Sequence, residues 1–155
     1  MRPCRRATAN LIAPRQPIDA DSLEQTKVCV IGSGNWGSAI AKIIGGNTKT
    51  LPFCHDQVNM WVHEEMVKVG NGQQKLSTVI NETHENFKYL PGIALPENVV
   101  AVPDLPEACR GATLLVFVVP HQFLHPLLPT IKDIVHSEAR GVSLIKGLGK
   151  QCRRW

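Results

Sequence analysis

The chain has 155 residues, 43% apolar and 19% charged, with 12 glycines and 11 prolines, a composition that fits one ordinary globular domain and excludes fibrous and low-complexity classes. Its formal charge of +4 sits largely at the ends, on Arg2, Arg5, Arg6, Arg15, Arg153 and Arg154; residues 27–150 carry no basic run, which argues against a nucleic-acid partner. The longest apolar run, 112–120, has a strand's length and falls far short of the roughly 20 residues that span a bilayer. Five cysteines without a C-x-x-C pair indicate neither a disulfide framework nor a metal site and fit a reducing compartment.

Residues 1–26 read as a disordered leader. The first eighteen contain several arginines, three prolines and one acid-free stretch up to Ile18; this has a weak likeness to an organelle transit peptide, but Pro3 and Pro14 break the amphipathic helix such a signal uses. Residues 27–31 (KVCVI) are a short β-branched run ending at Gly32, as a buried parallel strand does, with Cys29 as a small apolar residue inside it. Ala39, Ile40, Ile43 and Ile44 then recur at helical spacing, and Gly45-Gly46-Asn47 is the expected stop. A connection over 49–57 leads to a second strand over 58–62, followed by Glu64 and Glu65.

The stretch 70–90 is expected to hold a polar helix (QQKLSTVINETH) as an insertion on the common pattern, with a short strand over 99–102 ended by Pro103. His84 reads as structural. Asp104 is an N-cap for a brief helix to Arg110, and 113–119 (TLLVFVV) is the most apolar strand, expected to lie centrally. Residues 123–135 form a helix despite Pro126 and Pro129, and 141–145 a last strand ended by Lys146-Gly147. Strands alternating with helices specify an α/β fold with a parallel sheet. The final 151–155 match no element and read as a tail outside the domain.

The chemistry lies in Gly32-Ser33-Gly34-Asn35-Trp36-Gly37, a G-x-G-x-x-G run between a strand and a helix, which is the context that makes this pattern a dinucleotide-binding fingerprint. Gly32 makes the tight turn, Gly34 clears the approach of a pyrophosphate, and Gly37 lets the helix pack close to the sheet. The helix N-terminus offers unpaired N–H groups to the phosphates. Glu64 and Glu65 are candidates for the ribose contact, although Glu64 fits equally well as a solvated helix-start carboxylate. With no arginine after the second strand, NAD is favoured over NADP.

The runs GSGNWGSAIAK, MWV-x-EE, HENFKYLPG, LPENVVAVPD, FVVPHQF and SLIKG, in this order, resemble NAD-dependent glycerol-3-phosphate dehydrogenases of the eukaryotic cytosolic type, from Lys27 to about Leu148. The resemblance implies a Rossmann-type doubly wound parallel sheet over 27–150, a cytoplasmic protein, NAD as cofactor, and reversible hydride transfer between NADH and dihydroxyacetone phosphate to give sn-glycerol 3-phosphate, by a homodimer. It also implies that His63 and Phe123 line the cofactor site and that Lys146 contacts substrate. Phenylalanine is the family's common residue where His63 stands, and an imidazole stacks more weakly than a phenyl ring. Phe123 and Lys146 follow the carboxyl ends of expected strands, where doubly wound sheets hold ligands; His121 and Gln122 lie there too, and a lone histidine at such a place is commonly structural. The family's C-terminal helical domain, which carries the general-base lysine and the phosphate clamp, has no counterpart in these 155 residues. The chain is therefore expected to be either the NAD-binding half of the dehydrogenase or an NAD-binding module without activity.

Overall fold

A computed structural model describes residues 25–145. Strand β1 (Thr26–Ile31) leads through Gly32 into helix α1 (Asn35–Thr48), and β2 (Cys54–Trp61) returns beside β1. A hairpin, β3 (Met66–Val69) and β4 (Gly72–Lys75), precedes α2 (Leu76–Thr83). Then follow β5 (Val99–Val102), α3 (Leu105–Cys109), β6 (Leu114–Phe117), α4 (His121–Ile131) and β7 (Arg140–Ser143). The five long-range strands form one sheet in the order β5-β2-β1-β6-β7, with every pair parallel.

The helices divide between the two faces. Val28 and Val30 of β1 point into a core with Ala41 of α1 and Leu76, Val79 and Ile80 of α2. Cys29 and Ile31, one residue out of phase, point into the opposite core with Leu105, Ala108 and Cys109 of α3 and Ile131 of α4. Such alternation along a strand buried on both sides is what its unbroken apolar run requires. The chain therefore winds one way through β1, β2 and β5 and the other way through β6 and β7, and the reversal falls between β1 and β6. This is the doubly wound arrangement, with its ligand crevice at the carboxyl ends of those two strands.

Five details depart from the sequence reading. Helix α1 continues through Gly45-Gly46-Asn47 to Thr48. Gly45 is there for packing: a Cβ would lie 2.6 Å from Val99 Cγ2. Strand β2 starts at Cys54 rather than Val58, because an irregularity between Thr26 and Val28 takes up the extra residues of 54–57. The expected polar helix begins only at Leu76; its first residues, Gln73 to Lys75, pair in the hairpin, whose turn is made by Gly70 (φ 58°) and Asn71. Strand β6 is interior but second to β1 for the central place. Helix α4 opens at His121 and ends at Ile131, with both prolines inside it. The leader up to residue 24, Lys146 and the tail 151–155 lie outside the described residues.

Candidate cofactor-binding site

Each motif glycine has its own steric reason. Gly32 adopts φ 121°, a conformation that side chains rarely tolerate, and an added Cβ would lie 3.0 Å from the Val118 carbonyl oxygen. Its N–H donates to the Trp61 carbonyl at 3.3 Å, and the Val118 N–H donates to Ile31. The loop thus leaves the sheet wedged between the ends of β2 and β6. At Gly37 a Cβ would stand 2.1 Å from the Gly32 carbonyl oxygen, so only glycine permits the helix to sit this close. Gly34 is different: nothing lies within 4 Å of its imagined Cβ. It is the N-cap of α1, in extended backbone, and no side chain caps the helix. The loop thus leaves an open space in front of uncapped N–H groups at the positive end of a 14-residue helix, an arrangement that favours anions.

The loop is braced from behind by residues far away in sequence. Asn86, fully buried, donates from Nδ2 to the Ser33 carbonyl at 2.8 Å and to Ser38 Oγ at 2.9 Å. Ser38 Oγ in turn donates to the Ser33 carbonyl. Asn35 of the motif donates to the Tyr89 carbonyl at 3.0 Å. The Tyr89 hydroxyl donates to Glu65, and Lys88 forms an ion pair with the same carboxylate. These contacts, led by Lys88, hold the Glu65 carboxyl below its ordinary pKa.

The two carboxylates after β2 therefore have partners within the protein. Glu64 accepts from the Ser77 N–H at 3.2 Å and from Ser77 Oγ at 2.6 Å, which docks the first turn of α2 against the end of β2. Glu64 is thus not a solvated helix-start carboxylate: residues 62–65 lead into β3, and its carboxylate is engaged by Ser77. His63 between Val62 and Glu64 is exposed. Trp36 is 57% exposed and Phe123 53%, both large apolar side chains on the rim of the crevice. Phe123 sits in the first turn of α4, its N–H donating to Pro120, so β6 and α4 together place it beyond the strand end. His121 and Gln122 are exposed beside it, and His84 is the left-handed cap that stops α2, its N–H donating to Ile80.

Residues 27–154 match the family described as NAD-dependent glycerol-3-phosphate dehydrogenase N-terminus. The chain belongs to that family. Glycerol-3-phosphate dehydrogenase 1-like protein of Danio rerio is 60% identical over 122 residues, covering 79% of this chain and 34% of that protein. The human cytoplasmic glycerol-3-phosphate dehydrogenase [NAD(+)] is 53% identical over 122 residues, with the same two coverages. Among solved structures, glycerol-3-phosphate dehydrogenase of Saccharomyces cerevisiae superposes with a TM-score of 0.73 at 45% identity, over 80% of this chain and 34% of that one. The Plasmodium falciparum enzyme gives 0.72 at 40% identity, over 81% and 34%. The chain thus spans about a third of the length of the relatives it matches, and corresponds to their N-terminal, NAD-binding part.

Asn86 is the residue that sequence reasoning missed. It stands inside HENFKYLPG, but its partners are 53 and 48 residues away, and no local pattern marks a buried asparagine as a brace.

Proposed function

We propose that this chain binds NAD(H) at Gly32–Gly37 and forms the cofactor half of a glycerol-3-phosphate dehydrogenase, which interconverts dihydroxyacetone phosphate and sn-glycerol 3-phosphate. The observation that carries the reading is the open space at Gly34 in front of the uncapped N-terminus of α1. Ser33, Asn35 and Trp36 complete the loop around the pyrophosphate, and His63 and Phe123 flank the rest of the cofactor. The nicotinamide ring, when bound, supplies the hydride. Lys146, which follows β7 in the sequence, is the substrate contact that the family resemblance implies, and a cation there would stabilise charge developing on the substrate's oxygen. The names of the relatives support the substrate pair and a cytoplasmic setting; the family resemblance supports a homodimer for the whole enzyme, with neither nucleic acid nor membrane as partner.

The test is a fluorescence titration with NADH and NADPH. NADH is expected to bind more tightly, because Glu64 and Glu65 oppose a 2′-phosphate and the nearby Lys88 is already paired. Gly34→Val is expected to lower NADH affinity at least about 100-fold, since its branches fill the phosphate's approach. Equal affinity for NADPH would remove the cofactor preference, and unchanged NADH binding in Gly34→Val would reduce the motif to a turn.

A further inference from the structure

Cys29, in the middle of β1, and Cys109, the last residue of α3, are separated by 80 positions yet place their sulfur atoms 3.8 Å apart. Both are completely buried on the α3 face of the sheet, away from the cofactor cradle, and the NAD-binding reading gives them no role. Their surroundings are apolar: Ile31, Leu105, Ala108 and Leu115 share the same core.

We propose that Cys29 and Cys109 are a dithiol that closes into a disulfide tying β1 to α3 when the protein meets a peroxide. The sulfurs are in van der Waals contact and need to approach by about 1.8 Å to reach bonding distance. At rest Cys29 stays a thiol, donating to the Cys109 sulfur, and that contact lowers the Cys109 pKa while burial opposes it. The contact with Cys109 and burial push the Cys29 thiol far above its ordinary pKa, and a protonated thiol is a poor nucleophile.

Opening supplies the reactive form. Exposing Cys109 requires the five-residue helix α3 to lift from the sheet, which breaks the Asn59–Ala108 hydrogen bond and uncovers Leu105, Ala108 and Cys109; that is a smaller opening than releasing β1, which is paired on both sides. The exposed Cys109 thiolate attacks a peroxide oxygen and cleaves the O–O bond, giving a sulfenic acid and releasing water with one proton. When α3 closes, the Cys29 S–H, which faces the Cys109 sulfur in the resting pair, meets the sulfenic acid instead; its proton passes to the sulfenic oxygen as the Cys29 sulfur bonds to the Cys109 sulfur, and the hydroxyl leaves as water. In sum, two thiols and one hydrogen peroxide give one disulfide and two waters. The bond closes a loop of 80 residues, which restricts the unfolded chain.

The experiment treats the full 155-residue chain with hydrogen peroxide, blocks remaining thiols with N-ethylmaleimide, and maps the peptides by mass spectrometry with and without dithiothreitol. A dithiothreitol-sensitive peptide pair joining Cys29 to Cys109 is expected, with an unfolding midpoint higher by about 5 °C or more than that of the reduced chain. Cys29→Ala, whose Cys109 remains, is expected to end as a sulfenic or higher oxide at Cys109 with no bridge from it. If both cysteines are still alkylated after unfolding the treated protein, or if Cys109 bridges instead to Cys4, Cys54 or Cys152, the proposal is overturned. The wild-type map alone decides the matter even if the variant fails to fold.

Discussion

A methyl group added at Gly34 meets nothing within 4 Å, whereas one added at Gly37 meets the Gly32 carbonyl oxygen at 2.1 Å. The first position is therefore open toward solvent and the second is required by the fold. Gly37→Ala is expected to destabilise the domain by about 2 kcal/mol or more, because α1 must move away from the loop; denaturant unfolding measures this, and Gly34→Ala serves as the silent comparison. At the other side of the crevice, His63→Phe is expected to tighten NADH binding roughly 2- to 5-fold through better stacking, worth about 0.5–1 kcal/mol, read by the same titration used for the wild type. The steric roles of Gly32 and Gly37 were legible in the sequence because each depends on its position in one turn between one strand and one helix. Those of Glu64 and Glu65 were not: their hydrogen-bond partners Ser77, Lys88 and Tyr89 come from the insertion, and proximity across such a distance leaves no spacing to read.

Among the elements, the buried strands were the easiest to read, since β-branched runs such as 27–31 and 113–119 have no alternative use. The errors fell where a local signal served a second purpose. Gly45-Gly46 is a stop signal by propensity, yet here the missing side chain at Gly45 makes room for Val99. The hairpin β3–β4 was absorbed into a helix because Gln73, Gln74 and Lys75 are good helix formers and wholly exposed, so only the Gly70-Asn71 turn marks it. Helix α4 is the weakest long element. Pro126 and Pro129 each remove an intrahelical hydrogen bond, and of its residues Ile131 alone is fully buried. Amide exchange is expected to be at least about tenfold faster in α4 than in α1, whose buried face includes Gly37, Ser38, Ala41, Gly45 and Thr48; equal protection measured by mass spectrometry would show that α4 is held by contacts other than its own backbone.

At the level of the whole molecule, the proposed site comprises the space at Gly34 and the family-implied Lys146, whereas reducing dihydroxyacetone phosphate also requires a proton donor and a fixed phosphate. Positioning of that kind is worth about 7–11 kcal/mol of barrier. A polypeptide of these 155 residues alone is therefore expected to bind NADH but to show no measurable NADH oxidation on addition of dihydroxyacetone phosphate, followed by the cofactor's absorbance. Turnover that disappears in Lys146→Ala would place the whole reaction in this domain.

The brace of Asn86 on the Ser33 carbonyl means that this nucleotide loop is not a portable cassette. A β-α-β segment of residues 26–61 moved into another dinucleotide-binding protein would carry all three glycines, the helix and the Ser38–Ser33 hydrogen bond, but would lose both bonds from Asn86, at a cost of about 0.5–1.5 kcal/mol each. Exchange of this segment between relatives, by recombination or by design, is therefore constrained to donors and hosts that agree on a residue outside the segment exchanged.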